Sequence, residues 1–156
     1  MKPIVERRKI LRYLIPMLLF ALVACSEDKP TEPPAPVLNT ESNEIKNGTW
    51  ASADYIEADR KWKLLSISEA GLRVSWVLEF KNSSDKLVQV EIGKLVFEDK
   101  DGFELAKIVF NFDEETFLIA PSSSVTRQGT SVLNIYDVDT ANSITNMGIW
   151  AGFEQF

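Results

Sequence analysis

Residues 71–80 read Gly71-Leu72-Arg73-Val74-Ser75-Trp76-Val77-Leu78-Glu79-Phe80, and their alternation decides the fold class. Leu72, Val74, Trp76, Leu78 and Phe80 fall on one face of an extended chain. Arg73, Ser75, Glu79 and the following Lys81 fall on the other, broken only by Val77. Successive strand side chains point to opposite faces, so this period of two predicts a strand buried on one side and wet on the other, as antiparallel sheets have. Trp76, mid-strand, is expected in the core.

The same pattern continues outward. Asn82-Ser83-Ser84-Asp85 is a turn cluster, after which Val88, Val90 and Ile92 alternate. The phase changes at Gly93, so that Leu95 and Phe97 fall in step beyond it, and Gly93 is expected to be a bulge or bend. Asp99-Lys100-Asp101-Gly102 turns the chain into a strand with Phe103 and Leu105, followed by Ile108, Phe110 and Phe112. Asp113-Glu114-Glu115 reads as an acidic loop. Phe117 to Ala120 is a short apolar piece ended by Pro121 and three serines. Further strands are expected at Trp62 to Ile67, Val132 to Tyr136 and Gly148 to Phe153. Ala51 to Lys61 is the one stretch that could form a short helix. Seven or eight short strands with turn signals between them predict an all-β domain, a single immunoglobulin-like antiparallel β-sandwich over residues 47–156.

The middle of this domain carries a resemblance. Phe80-Lys81-Asn82-Ser83-Ser84, then Leu95 to Gly102, then Ile119-Ala120-Pro121-Ser122-Ser123-Ser124 resemble small immunoglobulin-like modules of the FxLYD type. Those modules place an Asn-Ser turn after one strand, an Asp-x-x-Gly turn after another and a Pro-Gly-type turn before a later one. Here Phe97-Glu98-Asp99 lacks the Leu-Tyr pair, and Ser122 stands where the modules have glycine. The resemblance implies a sandwich and implies no catalysis.

The N-terminus reads differently. Residues 2–12 carry Lys2, Arg7, Arg8, Lys9 and Arg12 against the single acid Glu6, and Leu14 to Ala24 is uncharged. Such an apolar run falls short of the roughly 20 residues that an uninterrupted membrane-spanning helix needs. The pair describes the basic and apolar regions of a signal peptide. Leu22-Val23-Ala24-Cys25 closes it and resembles the lipobox of bacterial lipoproteins, whose cysteine is acylated as the upstream peptide is removed. Cys25 is the chain's one cysteine. The resemblance implies a signal peptide over residues 1–24 and a lipid on Cys25. The alternatives are an ordinary cleaved secretory signal or an uncleaved anchor.

Cleavage there removes five of the 17 cations and one of the 23 acids, leaving a formal net charge of −10. That surface disfavours nucleic acid. Residues 25–46 hold four of the seven prolines and few large apolar side chains, so they are expected to be a tether too poor in buried surface to order. Ser26, rather than Asp, follows the cysteine. By resemblance to the sorting rule of two-membrane bacteria, this implies the outer membrane, periplasmic face. In a host with one membrane it implies the extracytoplasmic face of the plasma membrane.

Catalytic constellations are scarce. The chain has no histidine, which removes imidazole-based nucleophile activation and the common zinc sites. Carboxylates remain: Glu98, Asp99 and Asp101 at one turn, Asp113, Glu114 and Glu115 in a loop, and Asp137 and Asp139 around Val138. Each group reads better as solvated turn or loop chemistry than as a metal or acid–base site. Trp50, Tyr55, Trp62, Trp150 and Phe153 could line a sugar or peptide groove, with packing of the terminal strands the favoured reading. Asn47-Gly48-Thr49 and Asn82-Ser83-Ser84 match the glycosylation sequon incidentally. The expectation is a lipid-anchored, non-catalytic binding or accessory module with no metal or cofactor. Its partners would be the membrane, through the lipid, and an envelope protein. The alternatives are a structural or stress-related envelope lipoprotein without a dedicated ligand and, less favoured, a carboxylate-based enzyme.

Overall fold

The computed structural model describes residues 34–49, 54–111 and 116–156, with the side chains of 47–49 left aside. Cys25, Trp50 and the acids of 113–115 therefore lie outside the described residues. Two antiparallel sheets form a β-sandwich over the compact unit Pro36–Phe156. The strands are β1 (Ser42–Thr49), β2 (Ile56–Ser68), β3 (Gly71–Asn82), β4 (Val88–Glu98), β5 (Glu104–Val109), β6 (Thr116–Ile119), β7 (Ser124–Leu133) and β8 (Asn146–Gln155). A single-turn helix, α1 (Val138–Asn142), precedes β8.

The first sheet has the order β1-β2-β3-β7. In the second, β4 is central. β8 pairs along all of it, from Val88↔Gln155 to Glu98↔Asn146. β5 pairs with Lys94 to Glu98 and β6 with Val88 to Glu91, so these two share the other side as one interrupted edge strand. The alternation of residues 71–80 fulfils its expectation: Leu72, Val74, Trp76, Leu78 and Phe80 are all buried. They meet Val88, Val90, Ile92, Leu95 and Phe97 of β4 in one core. The phase change at Gly93 is real, since the β4–β8 register slips between Ile92 and Lys94. The Phe110 amide donates to the Gly93 carbonyl at 3.0 Å.

The β2–β3 turn shows why Gly71 opens the decisive strand. Its φ is +115°, and a Cβ there would lie 2.2 Å from the Leu133 carbonyl oxygen, so no side chain fits. Gly102 closes the β4–β5 turn with a φ of +82°.

Three expectations are revised. Residues 56–61 are strand, not the short helix considered over Ala51 to Lys61. Ile56, Ala58, Arg60, Trp62 and Leu64 are buried while Glu57, Lys61 and Lys63 are exposed, and β2 pairs on both sides. The sheet also begins upstream of Asn47. β1 starts at Ser42, inside the expected tether, and Leu38 and Ile45 pack on the core. Of the strand expected at Val132 to Tyr136, only Val132 and Leu133 are strand, the end of the longer β7, and residues 134–136 lie beyond it.

Candidate functional site

The carboxylates of the β4–β5 turn are taken up by local structure. Asp99 Oδ1 accepts the amides of Asp101 and Phe103, both at 2.9 Å. Asp101 pairs with Lys100 at 2.9 Å on the surface, and Glu98 Oε2 accepts from Asn146 Nδ2 at 2.6 Å. They do not converge on one point, and no three metal-ligating side chains gather among the described residues. Asp137 is the N-cap of α1, its Oδ1 accepting the Thr140 amide at 2.7 Å. That bond holds the carboxyl below its ordinary pKa. The signal that could have found it, not used in the sequence reading, is an Asp directly before the apolar Val138 with a second acid, Asp139, in the first turn.

Asn82 is only 2% exposed and is a fastener between two chain crossings. Its Nδ2 donates to the carbonyls of Lys86 (2.8 Å), Ala120 (3.1 Å) and Ile119 (3.3 Å). Its Oδ1 accepts from the amide (2.9 Å) and hydroxyl (2.7 Å) of Ser84. The Asn-Ser turn is thus pinned to the Pro121 turn, and the sequon asparagine is sealed. Nearby Lys81 Nζ meets Asp59 Oδ2 at 2.6 Å, a bond that raises the lysine pKa, with Glu79 and Glu57 adding to it.

The aromatics divide. Trp62 and Trp76 face each other across β2 and β3 inside the core. Trp76 donates to Ser131 Oγ at 3.2 Å, meets Phe110 edge-on at 5.5 Å and lies against Gly129, where a Cβ would come within 2.5 Å of the indole. Tyr55 and Phe153 also pack on the core. Trp150 does not: it is 58% exposed on the outer face of the second sheet. Lys94 Nζ sits 4.5 Å from its ring centroid. With Glu91, Gly93, Val109 and Gly152 they border a shallow depression of about 470 Å³. An indole, an ammonium and a carboxylate on a glycine-opened sheet suit noncovalent contact.

Two arginines turn inward from the first sheet. Arg60 is 8% exposed, and its Nη1 donates to the Met147 carbonyl at 3.0 Å. Burial lowers its pKa, opposed by the charge of Glu98. Arg127 alternates inward on β7, its guanidinium carbon 4.4 Å from the centre of the Phe117 ring. Its Nε is buried with no hydrogen-bond partner in the structure. Neither arginine stood out in the sequence, because a charge at an inward position breaks the very alternation that finds strands.

Compared with protein families, with curated proteins and with solved structures, the chain matches none. Among the described residues, no helix is long and apolar enough to cross a membrane.

Proposed function

We propose that the protein is a lipid-anchored lipoprotein of the bacterial cell envelope, carrying a non-catalytic sandwich that acts through contacts with an envelope protein. The observation that carries the anchor is Leu22-Val23-Ala24-Cys25, with the chain's one cysteine at the acylated position of the lipobox pattern. Supporting a contact module are the exposed Trp150–Lys94–Val109 row and the turn or surface roles found for the described carboxylates. Ser26 supports delivery to the outer membrane, periplasmic face, in a two-membrane host.

Because Pro36–Phe156 is one compact unit, the tether is shorter than residues 25–46. About ten residues between Cys25 and the domain span roughly 17 Å as a coil and about 31 Å as polyproline helix. The domain would work close to its membrane. The test is metabolic labelling with a fatty acid. Cys25→Ser should abolish incorporation and release the protein from membranes or leave it unprocessed. Equal labelling of the serine variant overturns the anchor. Membrane separation comparing wild type with Ser26→Asp tests the sorting: wild type should fractionate with the outer membrane and the variant with the inner.

A further inference from the structure

Among the described residues the sandwich has four edges, and three carry bulges, breaks or outward charges that oppose pairing with another strand. β1 has an extra residue between Ile45 and Gly48 and carries the exposed charges Glu44 and Lys46. β5 has a register slip opposite Phe97 and Glu98, carries the Glu104–Lys107 ion pair, and is separated from β6 by a break in the ladder. β8 carries the exposed charge Glu154, and Arg60 from the facing sheet takes its Met147 carbonyl, while the bulge residue Gly93 lies in its partner β4. Bulges, charges and interruptions are the ordinary means by which sheet edges avoid other chains.

β7 has no bulge, no break and no outward charge; the one such device it carries is an inward-pointing charge, Arg127. It pairs with β3 from Lys81↔Ser124 to Leu72↔Leu133 without a register shift, and no described strand lies on its other side. Its outward residues Ser124, Thr126, Gln128, Thr130 and Val132 are exposed and uncharged. Its one charge, Arg127, points inward over Phe117 with its Nε buried and unpartnered. A strand added to β7 would place one side chain directly opposite Arg127 on the same face, within contact distance. An apolar residue there would seal the cation away from water uncompensated, whereas a carboxylate would pair with it.

We propose that β7 is a docking edge for an extended segment of a partner protein, and that Arg127 selects segments presenting Asp or Glu opposite it. The uncharged outer row admits the backbone, and the inward guanidinium reads the sequence. This rests on the reading of the module as one that acts through protein contacts, and it names the surface and the chemistry of the partner.

The probe is a synthetic peptide, Val-Thr-Val-Thr-Glu-Thr-Val-Thr-Val, titrated into the full-length protein with amide resonances of β7 followed. Saturable binding with protection of β7 amides is expected. Changing the central Glu to Gln should weaken binding at least tenfold, and alternate N-methylation of the peptide backbone should abolish it. Arg127→Gln should bind the two peptides equally, and Thr130→Lys, which charges the exposed row, should weaken both. Equal affinity of wild type for the Glu and Gln peptides overturns the proposal, as does binding that survives N-methylation. Sedimentation showing a dimer broken by Thr130→Lys, with no peptide bound, overturns it in favour of a second copy. A photo-crosslinker at Gln128 or Trp150 in cells separates this from the broader reading. Adducts from position 150 alone sink the edge assignment, and adducts from neither position sink the contact module as well.

Discussion

Two asparagines do the same job in opposite surroundings. Asn82 and Asn142 each use a side-chain amide in place of a strand's peptide group. Asn142 Oδ1 accepts the Asn39 amide at 2.7 Å while its Nδ2 donates to the Val37 carbonyl at 2.8 Å, a reciprocal pair like a ladder rung. Asn82 makes five side-chain bonds and is 2% exposed, whereas Asn142 makes two and is exposed. The geometry of the bonds hardly differs. What differs is the alternative available to each partner when the amide is removed. Around Asn142 water replaces the lost bonds; around Asn82 the Ile119 carbonyl loses a buried donor, and an unmade buried bond costs far more than a made one gains.

That difference is breakable at its strong end. Asn82→Ala takes the Nδ2 donor from the carbonyls of Ile119, Ala120 and Lys86, the last two keeping the hydroxyls of Ser123 and Ser84, and should destabilise the fold by about 2 kcal/mol. The measurement is the urea midpoint at unchanged slope, with m taken as the check that the denatured state is unaltered. A loss under about 1 kcal/mol would mean water reaches these carbonyls, and burial would no longer separate the two asparagines.

The turn that Asn82 holds carries strain of its own. Ser122, following Pro121, has a φ of +51°, a left-handed conformation that costs a residue with a Cβ about 1 kcal/mol. Ser122→Gly should stabilise the protein by about 0.5 kcal/mol or less, since the glycine relieves the strain and gives back part of the gain as unfolded-state freedom. In the Asn82→Ala background the gain should shrink, because the loosened turn can relax by itself. A double-mutant cycle reads that coupling, and strict additivity would show that the clamp and the turn are independent.

The strands were legible because their chemistry is periodic. The alternation of residues 71–80 placed the centre of the first sheet, and the slip at Gly93 placed a bulge that the β4–β8 register contains. The turn at Asp99 to Gly102 was legible because Asp and Gly act there locally. Long-range pairings were not. Nothing adjacent in sequence says that the Asn82 amide reaches Ile119 and Ala120, or that Leu38 joins the core. The open edge at β7 was hidden as well, because an edge is defined by which strand is missing beside it, and strand order comes from tertiary contacts. Arg60 and Arg127 were obscured for a related reason. An inward charge looks like a flaw in the alternation until the facing sheet supplies Met147 or Phe117.

A pH scan sharpens the exposed side of the comparison. Asp137 caps α1, whose last residue is Asn142. Its carboxyl titrates below its unfolded value because the charged form accepts the Thr140 amide. A depressed pKa means that the cap stabilises the helix above the unfolded pKa and that this is lost as pH falls through the lower folded value. The Asn39 amide should therefore lose protection on the acid side of the ordinary aspartate range. Asp137→Asn, which keeps a capping oxygen without the charge, should flatten that dependence. If protection of Asn39 is unchanged through that range in wild type, the cap and the clasp are uncoupled.

The smallest effect expected is that of Asn142→Ala. Both bonds it deletes are solvent-accessible, so the global stability should fall by about 0.5 kcal/mol or less. The change should be visible instead at one place. The Asn39 amide, which now has Asn142 Oδ1 as its acceptor, should exchange with solvent roughly twofold to fivefold faster, while the Asn82 amide, bonded to the Ser123 carbonyl, keeps its rate. Local loss without global loss is what an exposed fastener predicts, and hydrogen exchange by NMR distinguishes the two directly. Its position gives the outcome meaning beyond stability, because residues 37–39 lie at the N-terminal end of the compact unit, beside the proposed tether. Under the proposed lipid anchor at Cys25, releasing them would lengthen the proposed tether at its domain end and let the sandwich stand farther from the membrane. Uniform acceleration across β1 and β2 would contradict this, since it would show that the Val37–Asn39 segment and the first sheet open as one unit.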